Sequence, residues 1–290
     1  MLSVARQERW GDIPTDYIDA LEAGADDKFA LFERWIARDA TGTIVDIGSG
    51  PGGVAARLAD AYPACRVLGL DANSSMVALA IERYRDRQNL SFRLAWADVP
   101  LDVGSVVCVL SSVLHEVAAQ GGLHAVERAL RCVASSLVRG GRIIMRDFVR
   151  PAGAARRVRL LHSRHDLCRG RSFSDFAAAA AFVVRFDGYH VEPEALSYDT
   201  NLEGAYEFAF RKNSGTAWDA ELGQRYAFWS EDDCRRLVHA AGLRLLHFAV
   251  NEDDWVVEYR LRGRLSLRDS VDGHPLSIPT GKIVVVAERP

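Results

Sequence analysis

The run Gly48-Ser49-Gly50-Pro51-Gly52-Gly53 places four glycines in six residues. Such a loop lets the chain turn sharply and admits a ligand to within backbone distance, where a Cβ would intrude. It follows the apolar run Thr43-Ile44-Val45-Asp46-Ile47 and opens a helix reaching about Ala61, so the free N–H groups of the helix start would face that ligand. Three acids accompany it: Asp46 just before the loop, Asp71 closing the next apolar run, and Asp98 closing a third. Asp71 is placed to hold a ribose diol. Gly48, Gly50 and Gly53 also fit the dinucleotide pattern, and an acid after the second strand is shared with NAD-binding enzymes, so spacing alone leaves both kinds of nucleotide open.

Groups able to move protons lie further along. His115-Glu116, within Leu110–Val117, falls just beyond a fourth strand, at the carboxyl edge where open α/β sheets bind ligands. A histidine titrates near neutrality and suits proton removal from an acceptor; the other reading of His115 is a pocket wall. Glu116 falls on a different helix face and reads as a cap or ion-pair partner. Asp147 ends a fifth strand at the same edge, where it either meets a substrate or pairs with Arg146 or Arg150. His162 and His165 belong to a segment read as an arginine-rich helix, where lone histidines are usually solvated.

The elements that must position these groups alternate. Apolar spacing over 15–38 predicts helix, with Gly24 able to split it. Strands are predicted at 43–47, 66–70, 90–95, 105–110 and 142–148, and helices follow the glycine loop, cover 74–87 and cover 113–138. This rhythm predicts a mostly parallel, seven-stranded α/β sheet with helices on both faces. The rhythm breaks after Phe148 and resumes at Ser230, with strands at 243–250 and 282–288 and β-like character over 255–267. The reading is therefore an N-terminal helical segment (1–40), a cofactor-binding core (41–149), a substrate-side insertion or cap (150–226) and a completion of the core sheet (227–290).

The segment Val45–Gly53 resembles motif I of class I, Rossmann-like S-adenosylmethionine-dependent methyltransferases. Leu70–Met76 is similar to that family's ribose-binding turn, Trp96-Ala97-Asp98 to its adenine-contacting segment, Val107–Val117 to its fourth-strand motif, and Gly140–Met145 to its fifth strand. The run from Tyr226 to Leu245 resembles its later helix, Ala-Gly-Leu and strand. The resemblance covers 40–148 well and 226–250 fairly. It implies S-adenosyl-L-methionine as cofactor and transfer of a methyl group. Gly48, Ser49 and Gly50 would pass beneath the methionine moiety, with Asp46 orienting the loop or reaching the ammonium through water. Asp71, Ala72 and Met76 would hold the ribose side, Ala97 and Asp98 the adenine, and Ser111 the edge of the fourth strand. The catalytic candidates are His115 and Asp147. The sulfonium already activates its methyl group, so such an enzyme chiefly aligns an acceptor and excludes water.

The insertion is rich in aromatics, and Tyr206, Arg211 and Trp218 are the substrate candidates; the competing reading is that these rings close the insertion's own core. Eight arginines between 146 and 171 could follow phosphates, which keeps an RNA or nucleotide acceptor as an alternative. Of the 36 basic residues, however, only Lys28, Lys212 and Lys282 are lysine, the mark of a GC-rich bacterial genome, which discounts arginine clusters. A small-molecule acceptor methylated at oxygen or nitrogen, in bacterial specialised metabolism, is the main expectation. An NAD-dependent oxidoreductase and a nucleotide-fold binding protein without turnover are the others. The net charge of −3 supplies no field for nucleic acid. Five dispersed cysteines without C-x-x-C give neither a disulfide framework nor a zinc site, and no acidic cluster implies magnesium, so no metal is expected. No apolar run is long enough for a bilayer and the first twenty residues show no signal-peptide core, so the expectation is a cytoplasmic chain without membrane contact. A homodimer is compatible with all of this.

Overall fold

A computed structural model of the protein describes residues 15–166, 171–180, 184, 187–191, 195–213, 218–250, 261–278 and 281–290. The chain divides into two compact units. The first comprises residues 1–147, 232–249 and 284–290; the second comprises 148–231 and 250–283.

The first unit begins with helices α1 (Thr15–Ala23) and α2 (Ala25–Glu33), split at Gly24 as the spacing predicts. Strands β1 (Gly42–Ile47), β2 (Cys65–Asp71), β3 (Leu90–Leu94), β4 (Ser105–Ser111) and β5 (Leu137–Phe148) alternate with α3 (Gly53–Ala61), α4 (Ser74–Arg83) and α5 (Leu114–Ser136). These five strands pair in parallel in the order β3-β2-β1-β4-β5. The sheet of seven is completed by β12 (Lys282–Glu288) and β9 (Arg244–Val250), the latter reached through α9 (Glu231–Ala240). Ile44, Val45, Val109, Ile144 and Val286 are fully buried, as strands covered on both faces must be. Because β1 connects to β2 on one side while its other neighbour is β4, the strand order reverses there. In open α/β sheets this reversal opens the ligand crevice beyond the carboxyl ends of the strands.

The second unit carries its own sheet. Its strands are β6 (Arg157–Ser163), β7 (Tyr189–Val191), β8 (Ala195–Asn201), β10 (Leu265–Asp269) and β11 (Pro275–Leu276), in the antiparallel order β11-β10-β6-β8-β7. Helices α6 (Phe173–Ala179), α7 (Leu202–Arg211) and α8 (Trp218–Leu222) belong to it. Two expectations are corrected here. Residues 265–276 join this sheet, whereas the sequence reading assigned everything after 227 to the core sheet; residues 255–260 of the expected β-like segment lie outside the described residues. The arginine-rich segment is a strand, because Val158, Leu160 and His162 alternate inward with period two while the intervening arginines take acids. Arg156 pairs with Asp269, Arg157 with Asp187, and Arg159 with Asp199. His162 is therefore buried rather than solvated, 2.9 Å from Asp166 Oδ2, which also accepts a 2.6 Å bond from Lys212. Burial holds the His162 ring below its ordinary pKa, against the opposing pull of Asp166.

The core of this unit also decides the reading of the aromatics. The Tyr206 hydroxyl donates to Gly281 O at 2.6 Å, and its ring fills the space that a side chain at 281 would need. Phe148 stacks on Tyr226 at 4.1 Å, and Trp218 meets Phe176 edge-on at 6.1 Å. Arg211 is 1% exposed; it donates to Glu221 O at 2.9 Å and pairs with the buried carboxylate of Glu207. Glu207 also accepts the amides of Tyr226 (3.2 Å) and Ala227 (2.7 Å). Tyr206, Arg211 and Trp218 thus close a core, and the polar groups of Tyr206 and Arg211 are spent on the unit's own chain. Glu207→Gln removes the charge facing a buried guanidinium. We expect it to destabilise the second unit by about 3–5 kcal/mol, read as a lowered urea midpoint for the transition reported by buried Trp218 and Trp229.

Candidate active site

The glycine loop turns through left-handed backbone at Gly48 (φ 71°) and Gly50 (φ 52°), and at Gly52, which caps α3. Gly48 and Ser49 donate their amides to Leu70 O at 2.7 and 2.9 Å, which pins the loop to the end of β2. A Cβ at Gly48 would sit 2.2 Å from Val113 Cγ2, and one at Gly52 would sit 2.7 Å from the ring of Phe92. At Gly53 the obstacles are Glu22 and Ala25 of the N-terminal helices. Much of the loop's glycine content thus answers to the protein's own packing, in addition to the sharp turn and ligand approach that the sequence suggests. At Gly50 the nearest atom is Leu21 Cδ1 at 3.7 Å, so positive φ is what requires glycine there.

Asp71 ends β2 with both carboxylate oxygens engaged: Oδ2 accepts Gly50 N–H at 2.7 Å and Oδ1 accepts Asn73 N–H at 2.8 Å. Asn73 in turn caps α4, accepting from Ser75 and Met76. Burial raises the Asp71 pKa, opposed by these amides. Ala72 is half-buried and Met76 buried; Ala97 and Asp98 lie half-buried after β3, with Arg128 4.0 Å from the Asp98 carboxylate. Asp46 is buried near the end of β1, and burial pushes its carboxyl up to about 7, with Asp71 adding to the rise and Lys28 opposing it.

Three side-chain oxygens at this edge, Asp46 Oδ2, Ser49 Oγ and Ser111 Oγ, are buried with no hydrogen-bond partner in the protein. Orphaned polar atoms of this kind are costly, and a ligand bearing several polar groups would satisfy them. They lie within two residues of the carboxyl ends of β1 and β4, where the strand order reverses. A nucleoside joined to an amino acid has donors and acceptors of the required kinds. The residues present therefore fit such a cofactor.

Beyond β4 the chain forms a second constellation. Asp147, 1% exposed, accepts Val113 N–H at 3.0 Å and Leu114 N–H at 2.7 Å through Oδ2, while Oδ1 lies 2.9 Å from His115 Nδ1. The carboxylate therefore caps the start of α5 and orients the histidine. In the neutral ring, a proton on Nδ1 directed at Asp147 leaves Nε2 as the basic nitrogen. Sequence spacing hides this pairing, since the partners are more than thirty residues apart; only the parallel register of β4 and β5, Ser111 opposite Arg146, aligns them. The helix they start is interrupted at Gly121 and Gly122, whose backbone is non-helical.

Residues 44–141 match the family described as "Methyltransferase domain". No curated protein matches the chain closely enough to stand as a relative. Among solved structures, an S-adenosylmethionine-dependent methyltransferase from Mesorhizobium loti is similar over 92% of this chain and all of its own, with TM-score 0.53 and 19% identity. TnmH has the same TM-score and identity over 94% of this chain, which spans only 57% of TnmH. An O-methyltransferase family 2 protein from Planctomyces limnophilus, solved with apigenin, gives TM-score 0.52 and 13% identity over 98% of this chain and 64% of its own. The fold defines the class first: a Rossmann-like α/β protein whose strand order reverses between β1 and β4. Within that class, residues 44–141 carry the methyltransferase-domain match, and solved structures of similar fold include S-adenosylmethionine-dependent methyltransferases. Among the described residues, no helix is long and apolar enough to cross a membrane, and no group of three or more His, Cys, Asp or Glu could hold a metal ion.

The raised carboxyl of Asp46 has a consequence for stability. Its ordinary pKa is 3.8 and its folded one about 7, so between those values the folded chain holds a proton that the unfolded chain has released. Stability from this group is therefore lost as the pH rises through that window. Asp46→Asn is expected to lose less stability than the wild type between pH 4 and pH 7, measured by urea denaturation along a pH series.

Proposed function

We propose that the protein methylates an oxygen or nitrogen atom of a small-molecule acceptor, in bacterial specialised metabolism, with His115 receiving the acceptor's proton. The observation that carries this reading is the buried Asp147–His115 pair, which holds one ring nitrogen and leaves the other basic at the carboxyl edge of the sheet. The Planctomyces limnophilus neighbour, solved with apigenin, lends support for a small acceptor. A nucleic-acid acceptor is disfavoured because Arg156, Arg157 and Arg159 are taken up by carboxylates.

In this reading S-adenosyl-L-methionine, when bound, supplies a methyl group made electrophilic by the sulfonium. Gly48, Ser49 and Gly50 hold the amino-acid end, with Asp46 and Ser111 offering their buried oxygens to its polar groups. Asp71 accepts the ribose hydroxyls beside Ala72 and Met76, since a carboxylate holding two amides retains lone pairs. Ala97 and Asp98 take the adenine. Asp147 is a positioning residue and His115 the base. The setting is cytoplasmic.

The test is a panel of phenolic and amine acceptors, scored by release of S-adenosylhomocysteine. His115→Gln should lower turnover of any accepted compound by roughly 10²–10⁴-fold and abolish the rise of rate with pH, leaving S-adenosylhomocysteine affinity unchanged. Full activity in that variant would remove His115 from the chemistry. The placement of Asp46 has its own readout. A cationic ammonium near this carboxyl favours its ionised form, so calorimetric titration with S-adenosylhomocysteine near pH 6 should release protons in the wild type and not in Asp46→Asn.

A further inference from the structure

Twelve glycines adopt positive φ among the described residues, and only one other residue does, Ser112 at φ 59°. A side chain in the left-handed region costs free energy that glycine avoids, and such residues persist where the surroundings fix them. At Ser112 the surroundings are one residue of β5. Arg146 accepts the Ser112 N–H through its carbonyl oxygen at 2.7 Å and donates from Nη1 to Ser112 Oγ at 3.3 Å. Arg146 is itself 7% exposed. The next residue of β5 is Asp147, which takes the amides of Val113 and Leu114 and the ring of His115. Four consecutive residues, 112 to 115, are thus tied to two consecutive residues of the neighbouring strand. A glycine at 112 would make the same backbone bond with less strain. What serine adds is a hydroxyl oxygen that accepts from a buried guanidinium.

We infer that Ser112, through its hydroxyl bond to Arg146, is a positioning residue that sets the turn into α5 and thereby the ring orientation of His115. The inference rests on the reading of His115 as base only for its catalytic meaning; the orientation itself is a structural property. The Ser112–Arg146 bond fixes the turn before the helix, and the Asp147 bonds fix the first residues within it. Without the hydroxyl, the turn is free to relax, and the geometry between His115 Nδ1 and Asp147 Oδ1 loosens.

The experiment is ¹⁵N NMR of the histidine rings in the full-length protein, with the His115 signals assigned by their loss in His115→Gln. The wild type should show His115 as the single Nδ1–H tautomer. Ser112→Gly should keep or raise the melting temperature, because backbone strain is relieved, yet convert His115 to a mixture of tautomers. Ser112→Asn, which tolerates left-handed backbone and retains an acceptor oxygen, should restore the single tautomer. With an accepted compound in hand, Ser112→Gly should also lower turnover by about tenfold or more at unchanged S-adenosylhomocysteine affinity. Wild-type ring signals in Ser112→Gly would overturn the inference. So would a tautomer mixture in Ser112→Asn equal to that in Ser112→Gly. If His115→Gln retains full activity while Ser112→Gly still scrambles the tautomer, the base assignment fails and the positioning role stands.

Discussion

The buried carboxylate of Asp147 is the point from which the start of α5 is organised. A helix start presents N–H groups that have no partner within the helix, and a charged oxygen near them is favoured by hydrogen bonding and by the helix dipole. Here one oxygen satisfies two such amides and the other turns an imidazole. Because these bonds share one carboxylate, the direction of α5 and the orientation of His115 are not independent. Val113, the first residue so held, packs on the glycine loop close enough that Gly48 can bear no side chain. The glycine loop and the start of α5 are thereby tied through a single turn of chain.

The loop after β1 illustrates how the same sequence feature answers two demands. Phe92, Tyr84, Glu22 and Ala25 press on it from the protein side. Asp71 also holds the loop in place through the Gly50 amide. A carboxylate that is already ordered by backbone bonds needs no reorganisation when a diol arrives. This is preorganisation of the kind that lowers the cost of binding. The partnerless oxygens of Asp46, Ser49 and Ser111 are the complement: polar capacity held at the site by the fold and left without use within the protein.

The parallel half of the fold was legible because βα alternation, glycine punctuation and acids at strand ends are local in sequence. Strand β1, the split at Gly24 and the last strand at 282–288 all fall where periodicity puts them. The second unit was less legible for a physical reason. Its strand β6 alternates arginine with apolar residues, and each arginine finds its acid far away in sequence, as Arg159 does at Asp199. Counting charges along the chain therefore suggested a cationic strip where the folded protein has ion pairs. Tyr206, Arg211 and Trp218 were drawn toward a binding role by their types, yet burial decides otherwise, and burial is a tertiary property. The Asp147–His115 pair had both members identified, but their union depends on strand register, which no spacing rule conveys.

The break at Gly121–Gly122 divides α5 into a short leading piece bearing His115 and a longer trailing piece whose Ala125, Val126, Ala129, Leu130 and Val133 lie in the core. A continuous helix would transmit any shift of those apolar contacts along its axis to the histidine. With the hydrogen-bond ladder interrupted, the trailing piece can be repacked over evolutionary time without retuning the leading one. Variation in bulk stability is in this way insulated from variation in chemistry.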